Sequence, residues 1–278
     1  MAKYNKKVVV IIPIHTEVPS EFELISFQQC FKVLGKHDIK IIAPEGLNLA
    51  KFRVVNPIFD VVFIDPIWQS SIEKYNKLKL SHFFYKLFDD YQFLLTYELD
   101  AFVFKDELLF WCNKGYDYIG SPWFVGYDTP TNEFLGVGNS GFSLRNIRAM
   151  KRAIKKVYVK EATCYYFGKK NMAVIKLSII LNYLCIYLGE NHTIQRAAHI
   201  NEDGFIAQVI ANKVKDFKIA SIEDAIPFAF EVKPKYLYQI NQNKLPMGCH
   251  AWWKYDLKFW RPFIEDFGYK ITLTKKSN

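Results

Sequence analysis

At 278 residues, with 50% hydrophobic and 17% aromatic side chains, the chain can bury a large core and is too apolar to be disordered. Its formal charge of +9 and pI near 9.1 favour anionic partners (nucleotide diphosphates, acidic lipid surfaces or nucleic acid), and charge alone does not choose among them. The cysteines, Cys30, Cys112, Cys164, Cys185 and Cys249, are scattered, odd in number and without CxxC spacing, which argues against a disulfide framework or a zinc site and fits a reducing cytosol.

Met1 to Lys7 is short and basic and leads into Val8-Val9-Val10-Ile11-Ile12, followed at once by Pro13. The apolar run is too short for a signal-peptide core and reads as a first strand. Phe22 to Leu34 is helix-like, Ile39 to Ala43 a second strand, and Val61 to Ile64 a third. From Ser71 to Phe88, apolar residues recur at helical spacing (Ile72, Tyr75, Leu78, Phe83, Leu87), and the chain then enters a fourth strand. This βαβαβ order predicts an α/β fold with a mostly parallel central sheet and helices on both faces. In such sheets ligands sit beyond the carboxyl ends of the strands. Pro13-Ile14-His15-Thr16-Glu17 and Glu98-Leu99-Asp100 would share that rim.

The fourth strand, within Phe93 to Phe104, ends in Glu98 and Asp100 and then turns apolar again. Burying an ionised carboxylate costs several kcal/mol unless a partner neutralises it, so acids flanked by core residues need one. A hard divalent cation is such a partner, and residues at i and i+2 of an extended chain can face one cavity while Leu99 turns into the core. A water-exposed strand end, or pairing with Lys or Arg, is the simpler alternative.

Asp106 to Lys114 reads as a short helix stopped by Gly115, and Tyr116 to Ile119 as a strand ending at Gly120-Ser121-Pro122-Trp123-Phe124. In Gly136-Val137-Gly138-Asn139-Ser140-Gly141 three glycines permit unusual backbone and close approach of a ligand. The GxGxxG spelling is not a dinucleotide fingerprint, because it lies mid-chain and leads into a strand rather than a helix. At Asn201-Glu202-Asp203-Gly204-Phe205 a second acidic pair opens an amphipathic helix that Asn201 can cap. A carboxylate fixed there also suits a general base. Gly248-Cys249-His250-Ala251-Trp252-Trp253 sets a lone histidine among aromatics, either packed or available to a borderline cation such as Mn²⁺. Met172 to Gly189 is apolar but interrupted by Lys176, Ser178 and Asn182. It reads as a helix covering the core or lying against a membrane, with Lys169, Lys170 and Arg196 nearby, rather than spanning one.

Together these motifs resemble metal-dependent nucleotide-sugar glycosyltransferases of the GT-A fold. The likeness is closest to a bacterial glycosyltransferase-like domain family of uncharacterised activity, with a similar acidic strand end, Tyr-Asp-Tyr-Ile-Gly-x-Pro-Trp and Gly-x-Gly-Asn-x-Gly-Phe-Ser-Leu-Arg. It spans about Val8 to Trp260. The resemblance implies a single domain over residues 1–278, with a Rossmann-like nucleotide-sugar half at about 8–104 and an acceptor-binding and catalytic half at about 105–265. It implies that Asp100, His250 and Glu98 hold Mn²⁺ or Mg²⁺, although Glu at the first acidic position departs from the usual DxD. Glu202 and Asp203 match the element that supplies the base in inverting members. Pro13, His15 and Glu17 would lie near the nucleoside, Asn76 and Lys79 near the base or phosphates, and Gly138, Asn139, Ser140 and Gly141 near the donor sugar. Trp123 and Trp252 would stack on sugar rings. The implied partners are a nucleotide sugar, most simply a UDP-sugar, and a glycan or lipid-linked acceptor. The implied location is cytoplasmic, with peripheral contact at the inner membrane face left open and no nucleic acid. Two alternatives stand beside it. A sugar-phosphate nucleotidyltransferase would carry a glycine-rich loop after the first strand, where Pro13 to Pro19 has no glycine. A carbohydrate-binding module would not need carboxylates set in apolar strands.

Overall fold

Five consecutive β-branched residues, Val8 to Ile12, place apolar side chains on both sides of a strand, so that strand must be covered on both faces. In the computed structural model, which describes residues 6–126, 129–161, 172–188, 190–197 and 200–272, it forms the centre of the molecule. Cys164, Lys169, Lys170 and Gly189 lie outside the described residues. The chain runs β1 (Lys6–Pro13), α1 (Glu21–Leu34), β2 (Asp38–Pro44), α2 (Ala50–Val55), β3 (Asp60–Ile64), α3 (Ile72–Lys79), α4 (His82–Lys86) and β4 (Tyr91–Tyr97). There follow β5 (Phe102–Val103), α5 (Leu108–Asn113), β6 (Tyr118–Ile119), β7 (Ser121–Phe124), β8 (Phe134–Gly138), β9 (Phe142–Asn146) and α6 (Ile147–Lys156). Two further short strands are β10 (Ala229–Phe230) and β11 (Gly248–Cys249).

The main sheet has six strands in the order β3-β2-β1-β4-β9-β6. The first four are parallel, as the alternation of elements requires, while β9 runs antiparallel between β4 and β6. Alternate residues of β1 divide between two cores: Val8, Val10 and Ile12 pack with Phe27 of α1, Phe52 of α2 and Trp111 of α5. Val9 and Ile11 pack on the other face with Leu78, Phe84, Met150 and Phe205. Burying each such side chain is worth about 1.5–3 kcal/mol, so the covering helices are drawn to both faces. The mostly parallel α/β sheet with helices on both faces is therefore as the sequence predicts. A second sheet, β10-β11-β5, packs an aromatic core around Trp252 and Trp260, and β7 and β8 form a separate antiparallel pair.

Several local expectations change. The helix read over Ser71 to Phe88 is two helices, because Ser81 accepts a hydrogen bond from the Phe84 amide and caps a new start. Ser121–Phe124 and Phe134–Gly138, read as a strand end and part of a glycine loop, pair as β7 and β8. Helix Met172–Tyr187 buries only Ile175 and Asn182, and Leu177, Ile180, Leu181 and Leu184 are exposed. Among the described residues, no helix is long and apolar enough to cross a membrane.

Candidate metal centre

The two sheets meet at the acids. After β4 the Glu98 amide donates to Gly141 O at 2.7 Å, and the Ala101 amide donates back to Glu98 O at 2.9 Å, so the chain turns through Leu99 and Asp100 before entering β5. Glu98 and Asp100 do converge, but across this turn rather than along an extended pleat. Leu99 is buried in the core, as expected. In the second sheet Phe230 registers with Cys249 across the parallel β10–β11 pair, and Cys249 with Phe102 across antiparallel β11–β5. Glu231, His250 and Asp100, each just beyond its strand, are thereby gathered at one edge. His250 Nε2 lies 2.9 Å from Asp100 Oδ1 and 3.8 Å from Glu98 Oε2, and Nδ1 lies 2.8 Å from Glu231 Oε1. One ligand atom each from Glu98, Asp100 and His250 falls within 4.8 Å of the others.

Charge holds the cluster together. Burial alone would raise the Asp100 carboxyl, but His250 lowers it below the usual range; burial would likewise raise Glu98, and Lys79 and His250 hold it well below. Burial would lower the imidazole of His250, and Asp100 foremost, with Glu231 and Glu98, raises it well above its ordinary value. Lys254, exposed over much of its length, donates to Asp100 Oδ2 at 2.8 Å.

The donor set fits a divalent cation. His250 Nε2 is buried and, despite its proximity to Asp100, has no well-directed hydrogen bond. Gly141 leaves the space beside it open, since a Cβ there would collide with His250 Nε2 and crowd Glu98 Oε2. Glu98 turns only Oε1 to Lys79 and Ser140, leaving Oε2 toward the centre. Two carboxylates and one imidazole suit Mn²⁺, and the carboxylates also suit Mg²⁺.

A cavity of about 580 Å³ opens from this centre, lined by Pro13 and His15 from the end of β1, Glu98 and Asp100 from the end of β4, and Ser71, Tyr75, Trp253 and Lys254. Both predicted rim segments therefore reach one cleft. Glu17 does not line it; its carboxylate accepts from the Asn48 amide at 3.0 Å. A second cavity of about 620 Å³, lined by Lys233, Lys235, Tyr236 and Tyr255, shares Lys254 with the first. Trp252 is not a platform, being fully buried with Nε1 donating to Ser26 Oγ at 2.9 Å; its neighbour Trp253 faces the cavity. Trp123 packs against Gly138, whose absent Cβ would strike the ring.

The second acidic pair divides. Glu202 is fully buried, with Oε1 2.7 Å from Arg145 Nη2 and 3.2 Å from Lys79 Nζ, so it cannot meet a substrate. Arg145 is itself fully buried and also donates to Ser143 Oγ at 3.0 Å. Asp203 stays partly exposed, accepts from the Gly204 amide at 2.8 Å, and has its carboxyl raised to about 7 by burial and by the neighbouring Glu202 charge. It lines neither cavity. Asn201 stands at the N-cap position but its side chain makes no capping bond; its Oδ1 accepts from Asn76 Nδ2 at 3.2 Å, while Asn76 Oδ1 accepts from the Glu202 amide at 3.3 Å. Asn76 and Lys79 are buried, and Lys79 binds Glu98, Glu202 and Ser140 instead of opening to the cleft. The positive φ of the glycine segment falls on Asn139, at 127°, and on none of its glycines. Asn139 Oδ1 accepts from the Gly141 and Phe142 amides at 2.7 and 2.9 Å, which fixes the turn. The side chains of Glu231, Lys254, Trp253 and Tyr75 belong to this region without having been singled out from sequence. A carboxylate after the apolar run Phe228-Ala229-Phe230 was the available signal for Glu231.

The family described as "Protein of unknown function (DUF5672)" matches residues 59–250. No curated protein matches the chain. Among solved structures, the galactosyltransferase LgtC in complex with donor and acceptor sugar analogs aligns over 96% of this chain and 98% of that one, with 14% identity and a TM-score of 0.47. The bifunctional glycosyltransferase WbbM in its apo form aligns over 89% of this chain and 46% of that one, with 12% identity and a TM-score of 0.44. A glycosyltransferase involved in glycosylation of the major capsid of PBCV-1 aligns over 88% and 92%, with 6% identity and a TM-score of 0.40. At these scores and identities the likenesses carry no argument about activity.

Proposed function

Because the chain belongs to the DUF5672 family, whose description names no activity, its function has to be argued from the site, and we propose that it is a metal-dependent transferase that moves a sugar from a nucleotide-sugar donor to an acceptor hydroxyl. The observation that carries this reading is the convergence of Glu98, Asp100 and His250 beside a cavity that Glu98 and Asp100 line, beyond the carboxyl ends of β1 and β4. Asp100, His250 and the free oxygen of Glu98 would hold Mn²⁺ or Mg²⁺. When bound, the cation neutralises negative charge on a leaving diphosphate.

The chain's own residues supply the rest. Pro13, His15, Tyr75 and Trp253 wall the space for a nucleoside. Lys254, paired with Asp100, lines both cavities, next to the charge a diphosphate would bring. Asp203 titrates near 7, which matches a general base working near neutrality; it would take the proton of the acceptor hydroxyl, and direct in-line attack would then invert the anomeric carbon. Glu202 holds no such role, since Arg145 and Lys79 enclose it; it fixes the helix from which Asp203 projects.

Calorimetry with UDP in the presence and absence of Mn²⁺ tests the reading directly. Tight binding only with the metal is expected, together with slow hydrolysis of one member of a panel of nucleotide sugars. Metal-independent or absent nucleotide binding would favour a carbohydrate-binding module, and pyrophosphate release from a sugar phosphate and a nucleoside triphosphate would favour a nucleotidyltransferase.

A further inference from the structure

His250 has two ring nitrogens and only one can face the cation. Its Nδ1 lies 2.8 Å from Glu231 Oε1. Glu231 is held in turn: Ser121 Oγ donates to its Oε2 at 3.2 Å, and Asn139 Nδ2 donates to Ser121 Oγ at 3.1 Å. Asn139 is pinned by the Gly141 and Phe142 amides on its Oδ1 and by Tyr118 OH, which donates to its backbone oxygen at 2.6 Å. The chain of contacts thus returns to Gly141, whose missing Cβ leaves room for His250 Nε2. Glu231, Ser121, Asn139 and His250 come from four separate segments, and the first three are mostly enclosed, so the arrangement is not an incidental surface pair.

We propose that Glu231 is a positioning residue for the metal centre: it accepts the Nδ1 proton of His250, fixes the ring and its tautomer, and so presents the Nε2 lone pair to a divalent cation shared with Glu98 and Asp100. The inference rests on the metal-binding reading above and adds a residue to it. A carboxylate behind a metal-bound histidine orients the ring and strengthens it as a ligand, and its loss typically costs 10–100-fold in metal affinity. The bond to Ser121 leaves Glu231 Oε1 pointed at the ring, and the β10–β11 register brings the two residues together whether or not a cation is present. His250 Nε2 is buried, lies 2.9 Å from Asp100 Oδ1 without a well-directed hydrogen bond, and faces the space that Gly141 leaves open.

The test is Mn²⁺ alone, titrated into the full chain and followed by the electron paramagnetic resonance of the free ion, with no nucleotide and no activity assay. Glu231→Gln should weaken Mn²⁺ binding by about 10–100-fold, because an amide can turn its NH₂ toward Nδ1 and drive the proton to Nε2. Long-range ¹⁵N–¹H correlation on the metal-free protein, at a pH where the ring is neutral, should show the Nδ1–H tautomer in the wild type and a shift toward Nε2–H in the variant. Wild-type Mn²⁺ affinity together with an unchanged tautomer in Glu231→Gln would overturn the proposal. Should that variant fail to fold, Ser121→Ala, which removes the donor to Glu231 Oε2 and the acceptor of Asn139 Nδ2, is expected to weaken Mn²⁺ binding several-fold, and unchanged affinity there would overturn it instead. If the wild type binds no Mn²⁺, the transferase reading fails, while the tautomer comparison still decides whether Glu231 sets the ring.

Discussion

The molecule carries two acidic pairs close to one another, and their surroundings make them opposites. Glu98 and Asp100 flank a turn between two sheets, share His250, and are held ionised by it, with Lys79 beside Glu98 and Lys254 beside Asp100. Glu202 and Asp203 are neighbours on one helix start, yet Glu202 is drawn inward to Arg145 and Lys79 and stays ionised, whereas Asp203 forms no salt bridge among the described residues and is raised to about 7. Lys79 is the link, touching Glu98 on one side and Glu202 on the other. The contrast shows that a carboxylate's chemistry follows from which cations its backbone allows it to reach. One pair faces a single centre and the other does not, and the protonation of their members differs accordingly.

The contrast predicts the largest effect at Asp100. Asp100→Asn should abolish Mn²⁺-dependent nucleotide binding, read by calorimetry, since it removes the carboxylate nearest His250 Nε2. Retained metal-dependent binding would take Asp100 out of the ligand set. Next, Asp203→Asn should leave nucleotide and Mn²⁺ affinity intact and lower turnover by roughly 10²–10⁴-fold, the usual weight of a general base. In the wild type the same carboxyl should make the rate climb about tenfold per pH unit and level off above about 7, a limb the variant lacks.

Glu202→Gln should act on stability. It leaves Arg145 and Lys79 buried with too little negative charge, and chemical denaturation is expected to show a loss of about 3–5 kcal/mol. A loss under about 1 kcal/mol would mean that the cluster is far less coupled than its geometry implies. The smallest effect is again at Asp203. Its carboxyl is raised from 3.8 to about 7 on folding, so the folded state holds the proton more tightly, and the associated stability is full below about pH 4 and lost as pH rises through 7. Asp203→Asn should therefore gain stability over the wild type at pH 8, on the order of 1–3 kcal/mol, and none at pH 4. An equal gain at both values would point to packing rather than titration.

Much of this arrangement was legible in the residues. The strands β1 to β4 and the two rim segments follow from apolar runs and their punctuation, since a β-branched run buried on both faces leaves few other options. The acids were legible because charge beside core residues demands a partner. Their partners were harder to read. The resemblance puts Lys79 near the base or phosphates and Glu202 in the catalytic element, and both side chains turn inward, because charge type and helix position do not say which other buried charge lies opposite. Trp252 and Trp253 are adjacent and chemically alike, and only the turn after β11 decided which one faced the cavity.

By itself, the sequence determined the α/β class, the strand ends that form the cleft and the residue types able to hold a cation, because periodicity and the cost of burying charge act locally along the chain. Only the tertiary structure decided that Glu231 stands behind His250, that Gly141 yields its side-chain space to that ring, and that Asp203 rather than Glu202 titrates near neutrality. Those outcomes depend on strand register and on contacts between residues far apart in sequence, such as Lys79 with Glu202, and no local pattern encodes such distances.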